Sequence, residues 1–307
     1  MDDRSLPNFF IVGAPKCGTT ALSSYLSKHP DIFLTKVKEL YYFCFDFNPS
    51  SARAHTLDEY LTYFQGAGKK RAIGEATPLY LYSDCAIKNA YAFNPDARFI
   101  AMVRNPLDMV PSMHRQALNN FHEDQQDLKV AWHLQSERSR GERIPETCRE
   151  PKLLQYREIC RLGHQVERLF SIVPQEQRLV VVLDDLRREA STVYRQVLNF
   201  LELDYDGRTV FPVVNEAFRW RFQSFSQFVY AAPSFIEWVG SMILRALGRE
   251  RVGLFRMLDR LNSRFNRKAQ AKQPLPLELK EELRKVYAND VKLLGRLLNR
   301  DLSRWLQ

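Results

Sequence analysis

The chain has 307 residues, with 45 Lys and Arg against 36 Asp and Glu, for a net charge of +9. At roughly 100–200 residues per domain, that length suits one large domain or two small ones and buries a sizeable core. With 45% hydrophobic and 12% aromatic residues, the composition excludes disordered and low-complexity classes.

In chain order, the opening Met1-Asp2-Asp3-Arg4 is acidic and lacks an apolar core, so it does not read as a signal peptide. Short apolar runs at Phe9 to Val12, Phe99 to Val103 and Leu179 to Leu183 read as buried parallel strands, with a weaker strand at Arg71 to Ala76. Helical patterns cover Thr19 to Ser27, Leu107 to Leu118, Leu153 to Val173, Ser191 to Leu201 and Leu277 to Leu298. Strands that alternate with helices predict an α/β fold. We expect a single domain over 1–307, with a P-loop-type central parallel sheet flanked by helices and a helical C-terminal cover.

The apolar stretch Phe228 to Leu247 contains Glu237 and Arg245, against the roughly 20 almost uncharged residues of a bilayer span. Cys17, Cys44, Cys85, Cys148 and Cys160 show no CxxC spacing, which argues against a disulfide scaffold or a zinc knuckle and for a reducing compartment. The expected location is cytoplasmic.

The positive charge is concentrated. From Arg245 to Lys272 nine basic residues face two acidic ones, and Leu254, Leu258, Leu261 and Phe265 recur there at helical spacing. The segment 245–276 reads as a basic helix with a solvated face, followed by a linker at Ala269 to Pro276. Contact with a membrane surface or an acidic acceptor is the sharper alternative. The segment lies away from the phosphate-binding motifs, so no nucleic-acid partner is expected.

The first strand runs directly into Gly13-Ala14-Pro15-Lys16-Cys17-Gly18-Thr19-Thr20, and a helix follows. A strand, a glycine turn and a helix start together make an anion site, because backbone N–H groups and the helix dipole point at the ligand. Lys16 adds a cation, and Thr19 and Thr20 supply hydroxyls and a helix cap. Gly13 and Gly18 keep the spacing of a nucleoside-triphosphate loop, but Thr19 stands where that loop needs Lys. The second strand ends in Arg104-Asn105-Pro106, with Ser112 eight residues past the arginine. Ligands of open α/β sheets bind at the carboxyl ends of strands, so the pair suggests a nucleotide bearing two separate phosphates.

The two motifs resemble the signatures of sulfotransferases that use 3′-phosphoadenosine 5′-phosphosulfate (PAPS). The likeness runs over nearly the whole chain, through Cys148-Arg149-Glu150-Pro151, Asp184-Asp185-Leu186 and Asp301 to Trp305, and is nearest to bacterial members related to carbohydrate sulfotransferases. The resemblance implies sulfo transfer from PAPS to a hydroxyl, or less readily an amine, of a small molecule or glycan. The product would be adenosine 3′,5′-bisphosphate (PAP), and no metal is required. It places Lys16, Cys17, Gly18, Thr19 and Thr20 on the 5′-phosphosulfate, Arg104 and Ser112 on the 3′-phosphate, and Arg221 in a late loop over the nucleotide. Phe222 stands where the family commonly has Ser, and Arg219 is a rival to Arg221.

The resemblance also names a base. Lys38-Glu39-Leu40-Tyr41-Tyr42-Phe43 is similar to a family segment whose glutamate serves that role, and Lys16 would stabilise charge on the departing phosphate. His114 is the second base candidate. Glu75-Ala76-Thr77-Pro78 lacks the lysine that carbohydrate members carry at the Ala76 position, and Glu75 reads either as a second carboxylate or as structural. His122-Glu123-Asp124 reads as a solvated acidic loop. Three other functions stand beside the main one: a P-loop nucleotide kinase, a PAP-binding module without transfer activity, and, least favoured, nucleic-acid binding through the basic segment, which predicts steep salt dependence. The sequence does not identify the acceptor or the oligomeric state.

Overall fold

The computed structural model describes residues 6–48, 52–212 and 274–307, with the backbone alone of 218–220 and 267–269. Five strands form a parallel sheet: β1 (Phe9–Gly13), β2 (Ile32–Leu34), β3 (Ala72–Ala76), β4 (Arg98–Val103) and β5 (Arg178–Val182), in the order β2-β3-β1-β4-β5. β1 and β3 are buried along their whole length, which is why they read as unbroken apolar runs rather than alternating ones. The fold is α/β with flanking helices, as the sequence predicts.

Helix α1 (Thr19–Leu26) follows β1, and α2 (Leu57–Thr62) and α3 (Ala86–Phe93) bracket β3. Helix α4 (Pro106–Asn119) follows β4, and α5 (Leu128–His133), α6 (Gln135–Ser139), α7 (Tyr156–Ile159) and α8 (Leu162–Ile172) lead to β5. Helices α9 (Leu183–Arg188) and α10 (Ala190–Phe200) come next, and the long α11 (Leu277–Leu297) packs on α8 as the C-terminal cover.

The structure departs from the sequence reading at several places. Strand β2, an edge strand of three residues, is too short to show a period. Leu183 opens α9 instead of ending β5. The single helix expected over Leu153 to Val173 is broken into a 3-10 turn (Pro151–Leu154), α7 and α8. The restart of α8 is held from far away, because Asp290 of α11 accepts the N–H of Gly163 at 2.9 Å and of His164 at 3.1 Å. Local periodicity carries no trace of that cap. Inside the segment read as a basic helix, Arg267–Ala269 is a strand (β7), paired antiparallel with Phe218–Trp220 (β6) and with Arg219 opposite Lys268. Strand pairing there overrides local propensity. The rest of 245–272 lies outside the described residues, as do Arg221, Phe222 and Phe228 to Leu247.

Glu123 corrects the reading of a solvated acidic loop. Its side chain and that of Arg138 are both 0% exposed. The guanidinium donates to Oε2 and Oε1 at 2.6 Å each, and Tyr156 Oη adds a third donor at 2.7 Å. Burial pushes the Glu123 carboxyl up, but these donors and the Gln125 N–H outweigh it and hold the group below the usual carboxylate range. Among the described residues no helix is long and apolar enough to cross a membrane.

Replacing Arg138 with Met should cost about 3–5 kcal/mol in urea denaturation, because it strands a buried charge. The double variant with Glu123→Gln should recover part of that loss. The wild-type pair stabilises fully above the ordinary carboxylate pKa, and its contribution is lost as pH falls through the lowered one. Acid titration of the Arg138 variant should therefore lack that component.

Candidate functional site

The carboxyl ends of β1, β3 and β4 lie side by side at the centre of the sheet, and the glycine turn after β1 meets Arg104 there. Gly18 is the N-cap of α1, with φ 91°, and no side chain caps the helix. The Ala21 N–H turns back to the Gly18 carbonyl at 3.0 Å, which leaves those of Thr19 and Thr20 for a ligand. Thr19 and Thr20 do not cap, contrary to expectation: Thr19 is the first helical residue and is buried. Gly18 is required twice over. An L side chain is strained at that φ, and a Cβ there would stand 2.7 Å from Leu183 Cδ1. Lys16 also adopts positive φ, 61°, which turns its carbonyl toward β4.

That carbonyl accepts a hydrogen bond from Arg104 Nη1 at 3.0 Å. Arg104 lies at the end of β4, is 6% exposed and faces Asp108 at 3.8 Å. Its Nε is buried and has no partner among the described residues. A guanidinium with an idle, desolvated donor beside an uncapped helix start is the arrangement an anionic ligand completes. Cys17 refines the expectation. Its thiol is fully buried toward Met109 Sδ at 3.8 Å, and burial pushes its pKa up to about 12. Its N–H donates to the Ala14 carbonyl at 3.3 Å, so Cys17 shapes the turn from within.

Lys16 Nζ donates to Gln116 Oε1 of α4 at 2.7 Å. Ser112 is half-buried, one helical turn before Gln116, and so shares the face that meets Lys16. Burial, then Arg104 and Arg115, lower the Lys16 pKa, while Glu39 opposes them. Lys38, quoted in the base motif but given no role there, donates to Thr20 Oγ1 at 3.0 Å, and burial lowers its pKa too. Lys38, Arg115 and Gln116 are the members of the site that sequence reasoning missed. The signal for Lys38 was its position beside Glu39. The α4 pair was findable from the helical offset to Ser112.

Glu39 is half-buried, has φ 62° and accepts from Tyr41 Oη at 2.8 Å. Glu75 is fully buried and accepts from three hydroxyls, so it belongs to the interior of β3. His114 is 5% exposed, with Nε2 2.7 Å from the Gln125 carbonyl and its ring edge-on to Tyr156. Burial lowers its pKa. Among the described residues no group of His, Cys, Asp and Glu could hold a metal ion.

The structure is a parallel α/β sheet whose central strand ends in an uncapped, lysine-bearing glycine turn, with an arginine at the neighbouring strand end, an arrangement suited to an anionic ligand. The family model described as "Sulfotransferase domain" matches residues 6–232, and the chain belongs to that PAPS-dependent sulfotransferase family. Over 127 residues it is 32% identical to the membrane-associated sulfotransferase kil1 of Dictyostelium discoideum, covering 40% of this chain and 24% of that protein. It is 28% identical over 202 residues to the human bifunctional heparan sulfate N-deacetylase/N-sulfotransferase 3, covering 64% and 22%. The chain thus spans about a quarter of these curated relatives. A sulfotransferase from Alicyclobacillus acidocaldarius is similar in structure, with a TM-score of 0.70 and 26% identity over 99% of this chain and 100% of that one.

Binding of a polyanion raises a lysine pKa that burial and like charges have lowered. Across the window between the free and bound values, the complex then holds more protons than the free protein. The affinity for PAP should therefore fall as pH rises through the lowered Lys16 pKa, and calorimetry in buffers of different ionisation enthalpy should register proton uptake. Lys16→Met should flatten that dependence.

Proposed function

We propose that this chain transfers the sulfo group of PAPS to a hydroxyl, or less readily an amine, of a small-molecule or glycan acceptor. One observation carries the reading. Half-buried Lys16 and buried Arg104 meet at an uncapped helix start, with Lys38 and Arg115 beside them and an idle Arg104 donor. Such a concentration of desolvated positive charge is unfavourable until an anion with several phosphate oxygens enters.

PAPS supplies an activated sulfo group on a phosphate leaving group. The Gly18, Thr19 and Thr20 backbone, with Lys38 at the Thr20 hydroxyl, would bind the 5′ end. Arg104 and Ser112 would bind the 3′-phosphate. Arg221, outside the described residues, rests on the resemblance alone. The acceptor oxygen attacks sulfur while the bond from sulfur to the phosphate oxygen breaks, and that oxygen keeps the electron pair. Lys16 stabilises the charge that develops there. Glu39 takes the acceptor proton; it is half-exposed and near Lys16, whereas His114 is buried against Gln125.

PAP should raise the melting temperature by several degrees at about 100 times its dissociation constant, and ATP with magnesium should not. The opposite result would favour a nucleotide kinase. With PAPS and a panel of phenols, sugars and amines, Lys16→Ala should lower PAP release about 10²–10³-fold. Glu39→Gln should lower it about 10²–10⁴-fold while leaving PAP affinity near wild type. Binding of PAP without turnover on any acceptor would leave a binding module.

A further inference from the structure

Glu75 is fully buried, and its partners among the described residues are hydroxyls. Tyr60 Oη donates to Oε1 at 2.7 Å, Tyr80 Oη to Oε1 at 2.9 Å, and Thr77 Oγ1 to Oε2 at 2.8 Å. A hydroxyl has one proton to give. Because Thr77 spends its proton on Glu75, its oxygen faces outward as an acceptor, and the N–H of Leu40 donates to it at 3.1 Å. The direction of the chain is therefore fixed, from Leu40 N–H to Thr77 to the carboxylate.

Leu40 lies between Glu39 and Tyr41, both non-glycine residues in the left-handed region at φ 62° and 56°. Such backbone persists only where its surroundings determine it. Five contacts do so here: Glu39 N–H to the Ala76 carbonyl at 3.0 Å, Leu40 N–H to Thr77, Tyr41 Oη to the Glu39 carboxylate at 2.8 Å, Arg53 N–H to the Leu40 carbonyl at 3.0 Å and Cys44 N–H to the Tyr41 carbonyl at 3.1 Å. The two that anchor the segment to the sheet come from the last residue of β3 and the one after it.

We infer that Glu75 and Thr77 are positioning residues for the acceptor base, holding the Glu39–Tyr41 segment in the conformation that brings the Glu39 carboxylate beside Lys16. This rests on the reading of Glu39 as the base. Burial alone would be satisfied by apolar residues at these two positions. What the hydroxyl and carboxylate add is an oriented acceptor for one N–H of the base loop. Glu75 thus acts through the loop and touches neither donor nor acceptor.

The test compares Thr77→Val with Thr77→Ser, using PAPS with 4-nitrophenol, and with water alone, as acceptors. Hydrogen exchange at residues 39–41 is followed in parallel. Thr77→Val keeps the volume and removes the acceptor. It should lower kcat for PAP release about 10²-fold, speed exchange at Leu40 and leave the PAP dissociation constant within about twofold. Thr77→Ser should restore both rate and protection. Unchanged kcat or exchange in Thr77→Val, a Thr77→Ser variant equally impaired, or a matching loss of PAP affinity would each overturn the inference. Glu39→Gln is measured alongside. If it retains full PAP release, the base assignment fails and this inference with it. If it loses release while Thr77→Val does not, the base stands and the positioning role alone is overturned.

Discussion

The hydrogen bond from Arg104 to the Lys16 carbonyl joins the end of β4 to the loop after β1, and the rest of the site is arranged around it. The two strands are neighbours in the sheet, so their ends are close by construction. The contact converts that closeness into a fixed relation between two anion-binding elements. The Lys16 carbonyl is held toward β4 while the N–H of the same peptide, on Cys17, closes the turn onto Ala14. The same guanidinium keeps Nε in reserve.

That arrangement stores unfavourable electrostatics. Burial and neighbouring cations depress the Lys16 pKa, burial depresses those of Lys38 and Arg115, and the Glu39 carboxylate offsets part of this for Lys16 and Lys38. The hydrophobic sheet beneath bears the cost, with β1, β3 and nearly all of β4 removed from water. The site gains most from ligands that bring several phosphate oxygens at once.

Much of this was legible in the sequence because the signals were local. The β1 run, Gly18 and Lys16 are contiguous, and Arg104 follows a second apolar run directly. The unread parts depend on pairs distant in the chain. Asp290 caps α8 from α11, Arg138 neutralises Glu123, and Lys38 reaches Thr20, and none of these leaves a periodic trace. His122-Glu123-Asp124 misled because a charged triplet normally marks solvent, and the neutralising arginine lies on a later helix. Glu75 was ambiguous for a similar reason, since its donors come from α2 and from the turn after β3.

Gly18 has no room for a Cβ because Leu183 stands against it, and Leu183 opens the helix whose Asp184 accepts from Trp305 Nε1 at 3.0 Å and whose Asp185 is forked by Arg300. The back wall of a loop made by the first twenty residues is therefore braced by residues near 300. A larger residue at 183, a lost indole at 305 and a Cβ at 18 would each press on the same wall, so the glycine turn is sensitive to changes far from it in sequence.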